Sequence, residues 1–463
     1  MSESDFYKQV LEKPANGNRV EFDEKNGYLR IIHGSGVEEI PLLKDGDFRT
    51  SDPDAEPGVR SLYKYMDAIG RSKSALFGQE NNVQNKAGDK MDSHADTYDM
   101  VRDYPALQAF DVLSFTGVEF SIKRHNMFYT NDVPGWKGLP AIDTAGEDPV
   151  ISDIKAAAAL ARRLIDMGGV FSLSAHMPNF LFSKIRESYV EGKSPAIAKY
   201  DYKEYTPNRC EGDVVGEVMP GGKAHDAFKR YLDIIAEFAK LVEKPFFFRP
   251  LHENTGSWFW WGADHCTPEE FKALWHYIAD YLRKEKGIHN LLYAYSPGSE
   301  NGSAAEYGER YPGDDYVDMV GVDMYDPYTE NEKGEEFFDG FKKQLSILEE
   351  FSASHNKLMA VTETGLASDK PDPGCKATSI HLTGNLNNHW HSDVLDLVVA
   401  SRASYFLLWA NFGRHGTYYT PYVDCIDSSG NLIGHETVDD FIRFYNDERV
   451  IFSGHQVQAL RTI

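Results

Sequence analysis

Short runs of consecutive apolar residues recur along the chain, each followed by a longer stretch whose apolar positions return every three to four residues. The short runs are SALFG, DVLSF, GGVFSLSAH, KPFFFRPLHE, NLLYAYSP, DMVGVDMY, KLMAVTETG and SYFLLWANF. Their largely unbroken apolar character predicts strands covered on both faces, as a parallel sheet requires. The intervening stretches read as helices. Residues Ile151–Gly168 (ISDIKAAAALARRLIDMG) are rich in alanine and end on glycine, a frequent helix stop. Between Asp226 and Lys244, Phe228, Leu232, Ile235 and Phe238 fall at helical spacing. Thr267-Pro268-Glu269-Glu270 reads as a capping box with proline at the first helical position, opening a helix toward Lys286. Phe337–Phe351 is a further amphipathic segment.

Eight strand units alternating with helices predict an α/β fold, a (β/α)8 TIM barrel, which tolerates insertions well beyond its usual size. An open doubly wound sheet competes, but it calls for a glycine-rich turn after the first strand, and LFGQENN holds one glycine. Residues 1–50 contain YLRIIHGS and VEEIPLLK, a small hairpin expected to pack on the barrel as an N-terminal β extension. DGDFRTSDPDAEPG then leads into the barrel domain, residues 51–463. Long connections at Thr130–Pro149, Glu187–Ala224 and Asp369–Ser392 are placed to wall a cleft at the C-terminal ends of the strands.

Composition narrows the partner more than the fold. The chain has 463 residues, 26% charged and 41% hydrophobic, which is globular, and its net charge of −24 disfavours nucleic acid and anionic membranes. A neutral substrate is indifferent to that field. No run approaches the roughly 20 apolar residues of a membrane helix. The polar start MSESDFYKQVLEKPANG lacks a leader's apolar core, so the expected location is secreted or periplasmic with the leader gone, the alternative cytoplasmic. Cys210, Cys266, Cys375 and Cys425 match no metal spacing and leave the redox state open.

The candidate chemistry lies at strand ends. Glu253 follows the fourth strand within FFFRPLHENTGSWFWWG, and Glu363 ends the seventh in MAVTETG. In a barrel both reach the face where strand ends carry chemistry. Two carboxyl groups about 5–5.5 Å apart can attack an anomeric carbon and protonate its leaving oxygen. Glu253, among Leu251, Trp258 and Phe259, sits where burial keeps a carboxyl protonated, which makes it the acid/base. Glu363, between Thr362 and Thr364, has hydroxyls at hand to hold an ionised nucleophile. The bland alternative is that both merely cap or pair. Trp258, Trp260, Trp261 and Trp409 offer apolar faces for sugar rings, although two of the first three are expected to be core, with Trp258 facing the cleft. His176, His252, Tyr325 and Asn411 are further strand-end polar residues, each weighed against a purely structural role; Arg249 and Asp323 lie deeper as support. His381, His389, His391 and His415 have no metal-ligand spacing, so no metal is assigned.

These motifs resemble glycoside hydrolase family 26, known mainly for β-mannanases. FRPLHENTGSWFWWG, LFGQEN, GGVFSLSAH, VGVDMYD and VTETG carry the resemblance, which extends from about residue 56 to 425. It implies a barrel, a retaining double displacement without cofactor, Glu253 as acid/base and Glu363 as nucleophile. It further implies that His176, His252, Trp258 and Tyr325 line the subsite of the sugar under attack, with Tyr325 bonded to the nucleophile and Trp409 on the floor. The expected substrate is a polysaccharide or oligosaccharide, and the expected activity is endo cleavage of β-1,4-mannan, glucomannan or galactomannan. Alternatives are exo release of mannobiose, action on β-1,3-xylan or mixed-linkage glucan, or sugar binding without catalysis. Oligomeric state stays open.

Overall fold

The computed structural model describes residues 17–463 apart from 89–90, 92, 117, 120–141, 328–333, 368–379, 382, 386 and 414–415. Three antiparallel strands come first: β1 (Arg19–Asp23), β2 (Tyr28–His33) and β3 (Gly36–Pro41). Two of them are the expected hairpin. The added strand, RVEFD, has three charged residues in five, and only the alternation that buries Val20 and Phe22 marks it.

Helix α1 (Pro57–Arg71) then leads into the barrel. Its strands and outer helices alternate: β4 (Ala75–Glu80), β5 (Leu107–Asp111), α2 (Pro149–Asp166), β6 (Val170–Ala175), α3 (His225–Val242), β7 (Phe246–Pro250) and α4 (Pro268–Asp280). The second half holds β8 (Leu291–Tyr295), β9 (Met319–Asp326), α5 (Gly334–His355), β10 (Leu358–Leu366), α6 (Trp390–Val399) and β11 (Tyr405–Leu408). Each strand pairs in parallel with the next, and β11 pairs back onto β4, closing the ring of eight. The Thr267 capping box forms as expected.

One strand differs from expectation. The second barrel strand is LQAFD, and DVLSF instead turns away as a short 3-10 segment at Val112–Ser114 whose Leu113 amide is capped by Asp111. Both runs are apolar. Asp111 prefers to accept a hydrogen bond from the amide two residues on, which ends the strand there.

Alternation along the strands sorts residues between two layers. Phe77, Phe110, Phe171, Phe246, Phe248, Val320, Val361 and Phe406 pack outward under the helices. Leu76, Leu107, Val170, Phe247, Leu292, Met319, Leu358 and Leu407 point into the barrel and, at its lower end, meet α1 and the β1–β3 sheet. Continuing each inner series upward by twos reaches Glu80, Asp111, Ser174, Arg249 and Asp323. The barrel is therefore apolar at its base and densely polar at its top. Among the described residues, no helix is long and apolar enough to cross a membrane. Cys210, Cys266 and Cys425 are free thiols, while Cys375 lies outside the described residues.

Candidate active site

Glu363 should point outward by simple alternation, because Leu358 and Ala360 face in while Met359 and Val361 face out. A bulge in β10 reverses this. Val322 pairs with Val361, but Asp323 pairs with Glu363, leaving Thr362 as the extra residue. The Thr362 side chain fills the space beside Gly321, where an added Cβ would stand 2.5 Å from its methyl and hydroxyl. Glu363 is thereby turned into the barrel beside Asp323, 3% exposed.

Arg249, projecting inward from β7, ties this layer together. Its Nη1 donates to Asp323 Oδ2 at 2.9 Å, and its Nη2 donates to Glu363 Oε1. Tyr325 donates its hydroxyl to Glu363 Oε2 at 2.8 Å. The expected role of the Thr362 and Thr364 hydroxyls does not hold, since among the described residues neither hydrogen-bonds Glu363. A guanidinium and a phenol hold Glu363 in their place. Burial pushes Asp323 well above the usual carboxylate range despite Arg249, aided by Glu363 and Glu253.

Glu253 arrives by a different device. The chain leaves β7 at Pro250 and turns sharply, with Leu251 at φ +52° and Glu253 at φ +53°, both in the left-handed region. Such conformations cost side-chain-bearing residues on the order of 1–3 kcal/mol each and persist where surrounding structure enforces them. Here the Glu253 amide is anchored on the Ser296 carbonyl at 2.8 Å. Trp258 donates its indole N–H to Glu253 Oε2 at 2.6 Å. Gly256 lies under that indole, where an added Cβ would stand 2.2 Å from the ring. Glu253 opens partly to the cleft, yet its carboxyl is enclosed enough that burial, then the charge of Glu363, pushes its pKa up to about 7. One oxygen each from Glu253, Asp323 and Glu363 lie within 4.8 Å of one another. Three carboxylates this close are also the donor set of a cation cage, but Arg249 is bonded to two of them and supplies the positive charge itself.

The remaining expected residues fall on both sides of the cleft wall. His176 follows β6, its Nδ1 2.8 Å from Asp111 Oδ2 and its Nε2 3.1 Å from His252 Nε2. His252 is fully buried behind it. The Trp409 ring lies 5.5 Å from that of His176, centre to centre. Trp258 is 45% exposed, whereas Trp260 and Trp261 are core residues bonded to the Met177 and His252 carbonyls. Asn411 has a structural role. Its side chain binds Asp96 and Thr420 and accepts from the Tyr419 and Thr420 amides, clamping the loop after β11. His391 pairs with Asp440 at 3.2 Å and His381 accepts from His435 through its carbonyl, while His415 lies outside the described residues.

Four residues escaped the sequence reading. Asp111 was hidden because DVLSF made it the start of a strand rather than the end of one. Glu80 ends β4 inside LFGQEN; it is fully buried, neither oxygen has a hydrogen-bond partner among the described residues, and burial pushes it well above its ordinary range. Tyr205, 46% exposed, reaches back from the long loop to put its ring centre 6.0 Å from that of His176, and the Tyr419 ring lies tilted at 55° to that of Tyr325. Loop residues such as these two carry no periodic signal.

Comparison with known proteins bears on the family and the fold. A mannan endo-1,4-beta-mannosidase of Bifidobacterium adolescentis is 31% identical over 393 residues, 82% of this chain and 34% of that protein. The catalytic domain of a Bacillus sp. JAMB-750 endo-beta-1,4-mannanase superposes with TM-score 0.68 at 31% identity, covering 89% of this chain and 96% of that one. A modular endo-beta-1,4-mannanase of Cellulomonas fimi superposes with TM-score 0.66 at 28% identity, covering 89% and 79%. The chain spans about a third of the Bifidobacterium relative's length and 46% of a Bacillus subtilis relative of the same name. The profile of glycosyl hydrolase family 26 matches residues 51–350, from just before α1 into α5 and including the turn after β7 that carries Glu253; the chain belongs to that family.

Proposed function

We propose that the protein is an endo-acting β-1,4-mannanase that cleaves with retention of anomeric configuration. The observation that carries this reading is the proximity of Glu253 and Glu363, whose nearest oxygens are within 4.8 Å. Retaining hydrolases hold their two carboxyl groups about 5–5.5 Å apart, while inverting ones need about 6.5–9.5 Å to admit a water. The relatives' names support mannan as substrate.

In the first step a Glu363 oxygen bonds to the anomeric carbon, the glycosidic C–O bond breaks, and the leaving oxygen takes the Glu253 proton. In the second, water attacks the same carbon, Glu253 takes its proton, and the ester bond to Glu363 breaks. The environments suit these roles. Arg249 and Tyr325 hold Glu363 as an aligned anion. Glu253, with a pKa of about 7, stays protonated on the acid side of neutrality and can still release its proton. Trp258 hydrogen-bonds the Glu253 carboxylate that remains after the proton leaves.

Incubation with mannan, xylan and mixed-linkage β-glucan in separate reactions tests the substrate, and proton NMR of the first products tests the stereochemistry. A spread of manno-oligosaccharides appearing first as the β-anomer is expected. Mannobiose alone would support exo action, cleavage of another glycan would replace the substrate, and an initial α-anomer would overturn retention.

A further inference from the structure

We propose that Asp111, at the end of β5, is a positioning residue that holds His176 as a doubly protonated imidazolium beside Glu253 and Glu363. Asp111 is 1% exposed and surrounded by donors. Its Oδ1 accepts from the Leu113 amide at 3.0 Å. Its Oδ2 accepts from the Ser174 hydroxyl at 2.7 Å, the His176 amide at 3.0 Å and the His176 ring at 2.8 Å. A buried carboxyl that meets only donors stays ionised, so His176 Nδ1 must carry a hydrogen.

The charge is then located by the second nitrogen. His176 Nε2 lies 3.1 Å from His252 Nε2, so one proton sits between them. His252 is walled by the Phe259 and Trp261 rings and has no carboxylate partner among the described residues, whereas His176 has Asp111. The Asp111 ion pair favours placing this proton on His176 with His252 accepting at Nε2, an arrangement whose cost is a His252 Nδ1 hydrogen that meets no acceptor among the described residues. Burial, then the His176 charge, keeps His252 well below its ordinary value; the Asp111 ion pair raises His176 against burial, with smaller help from Glu363 and Glu253. The titratable groups around the ring are Asp111 from β5, Glu119 and Tyr205 from the loops after β5 and β6, His252 and Glu253 from the turn after β7, and Glu363 from β10.

The consequence rests on the proposed acid/base role of Glu253. That residue becomes an anion when the leaving oxygen takes its proton and remains one until water returns it. A fixed cation on the neighbouring ring stabilises this anion without itself exchanging a proton. Asp111 thus acts through His176 and touches no sugar.

Nitrogen-15 NMR of histidine-labelled protein between pH 5 and 7.5, with His176→Gln for assignment, tests the proposal without substrate. Both His176 ring nitrogens are expected to show imidazolium shifts at pH 7. Asp111→Asn should lower the His176 midpoint by at least one pH unit and move the alkaline limb of kcat/KM upward, because a cation beside Glu253 is lost. If Asp111→Asn does not fold, the wild-type spectrum still decides: an unprotonated Nε2 at pH 7 overturns the proposal. Unchanged midpoint and limb in a folded Asp111→Asn would overturn it as well. A charged His176 in a protein that fails to cleave mannan would instead count against the proposed function alone.

Discussion

Replacing Trp258 with phenylalanine removes one N–H and tests how Glu253 is tuned. The indole donates to Glu253 Oε2 at 2.6 Å, a bond that favours the carboxylate and lowers its pKa. Hydrogen bonds to charged groups contribute about 1.5–3 kcal/mol, or roughly 1–2 pH units at 1.36 kcal/mol per unit. Trp258 is 45% exposed, so water takes up part of the lost interaction, and the lower end of that range applies. From its position at about 7, the Glu253 pKa should therefore rise to about 8 in Trp258→Phe. The assay is kcat/KM against pH on a soluble manno-oligosaccharide, whose alkaline limb reports the acid of the free enzyme. Lost sugar contact lowers the whole curve, but it does not displace the limb. An alkaline limb that stays in place or moves to lower pH would refute the tuning role of the indole.

Other parts of the site make separate predictions. Arg249→Met leaves Glu363 and Asp323 buried without their cation, and urea melts should show a loss of about 3–5 kcal/mol. Gly321→Ala drives a methyl into Thr362 and disturbs the bulge that aims Glu363; a stability loss of about 1–3 kcal/mol with a larger drop in kcat is expected, partly rescued by Thr362→Ala. Asp96 is buried beneath the loop clamp and its pKa is pushed up to about 6, mainly by burial. A raised folded-state carboxyl favours the fold below its ordinary value of 3.8 and loses that contribution as pH rises through about 6. The Tm of Asp96→Asn minus that of the wild type should accordingly increase from pH 4 to 7, and a flat or falling difference would contradict it.

The fold was readable because barrel strands buried on both faces form unbroken apolar runs, as in KPFFF and KLMAV, and the helices between them carry caps and helical periodicity. Glu253 and Glu363 were visible as carboxylates following such runs. What holds them was harder to see. Glu363 faces inward only because β10 bulges against β9, a property of strand pairing rather than of either strand alone. The flanking threonines therefore looked like its partners, while Arg249 and Tyr325, distant in sequence, are the real ones. Asp111 was displaced in the reading by the four residues VLSF, three of them apolar, that continue past the true strand end. Asn411 lies at a strand end like the catalytic candidates, and only its bonds to Asp96 and Thr420 assign it to the scaffold.

A mechanism-based label decides whether Glu363 and Glu253 share one glycosidic bond. Incubation with a 2-deoxy-2-fluoro-β-mannosyl fluoride, whose good leaving group needs no proton donor, followed by digestion and peptide mass spectrometry, reports the nucleophile directly. One adduct on Glu363 is expected, forming in Glu253→Ala as well but turning over more slowly there. An adduct on any other residue, or its formation in Glu363→Ala, would contradict the account.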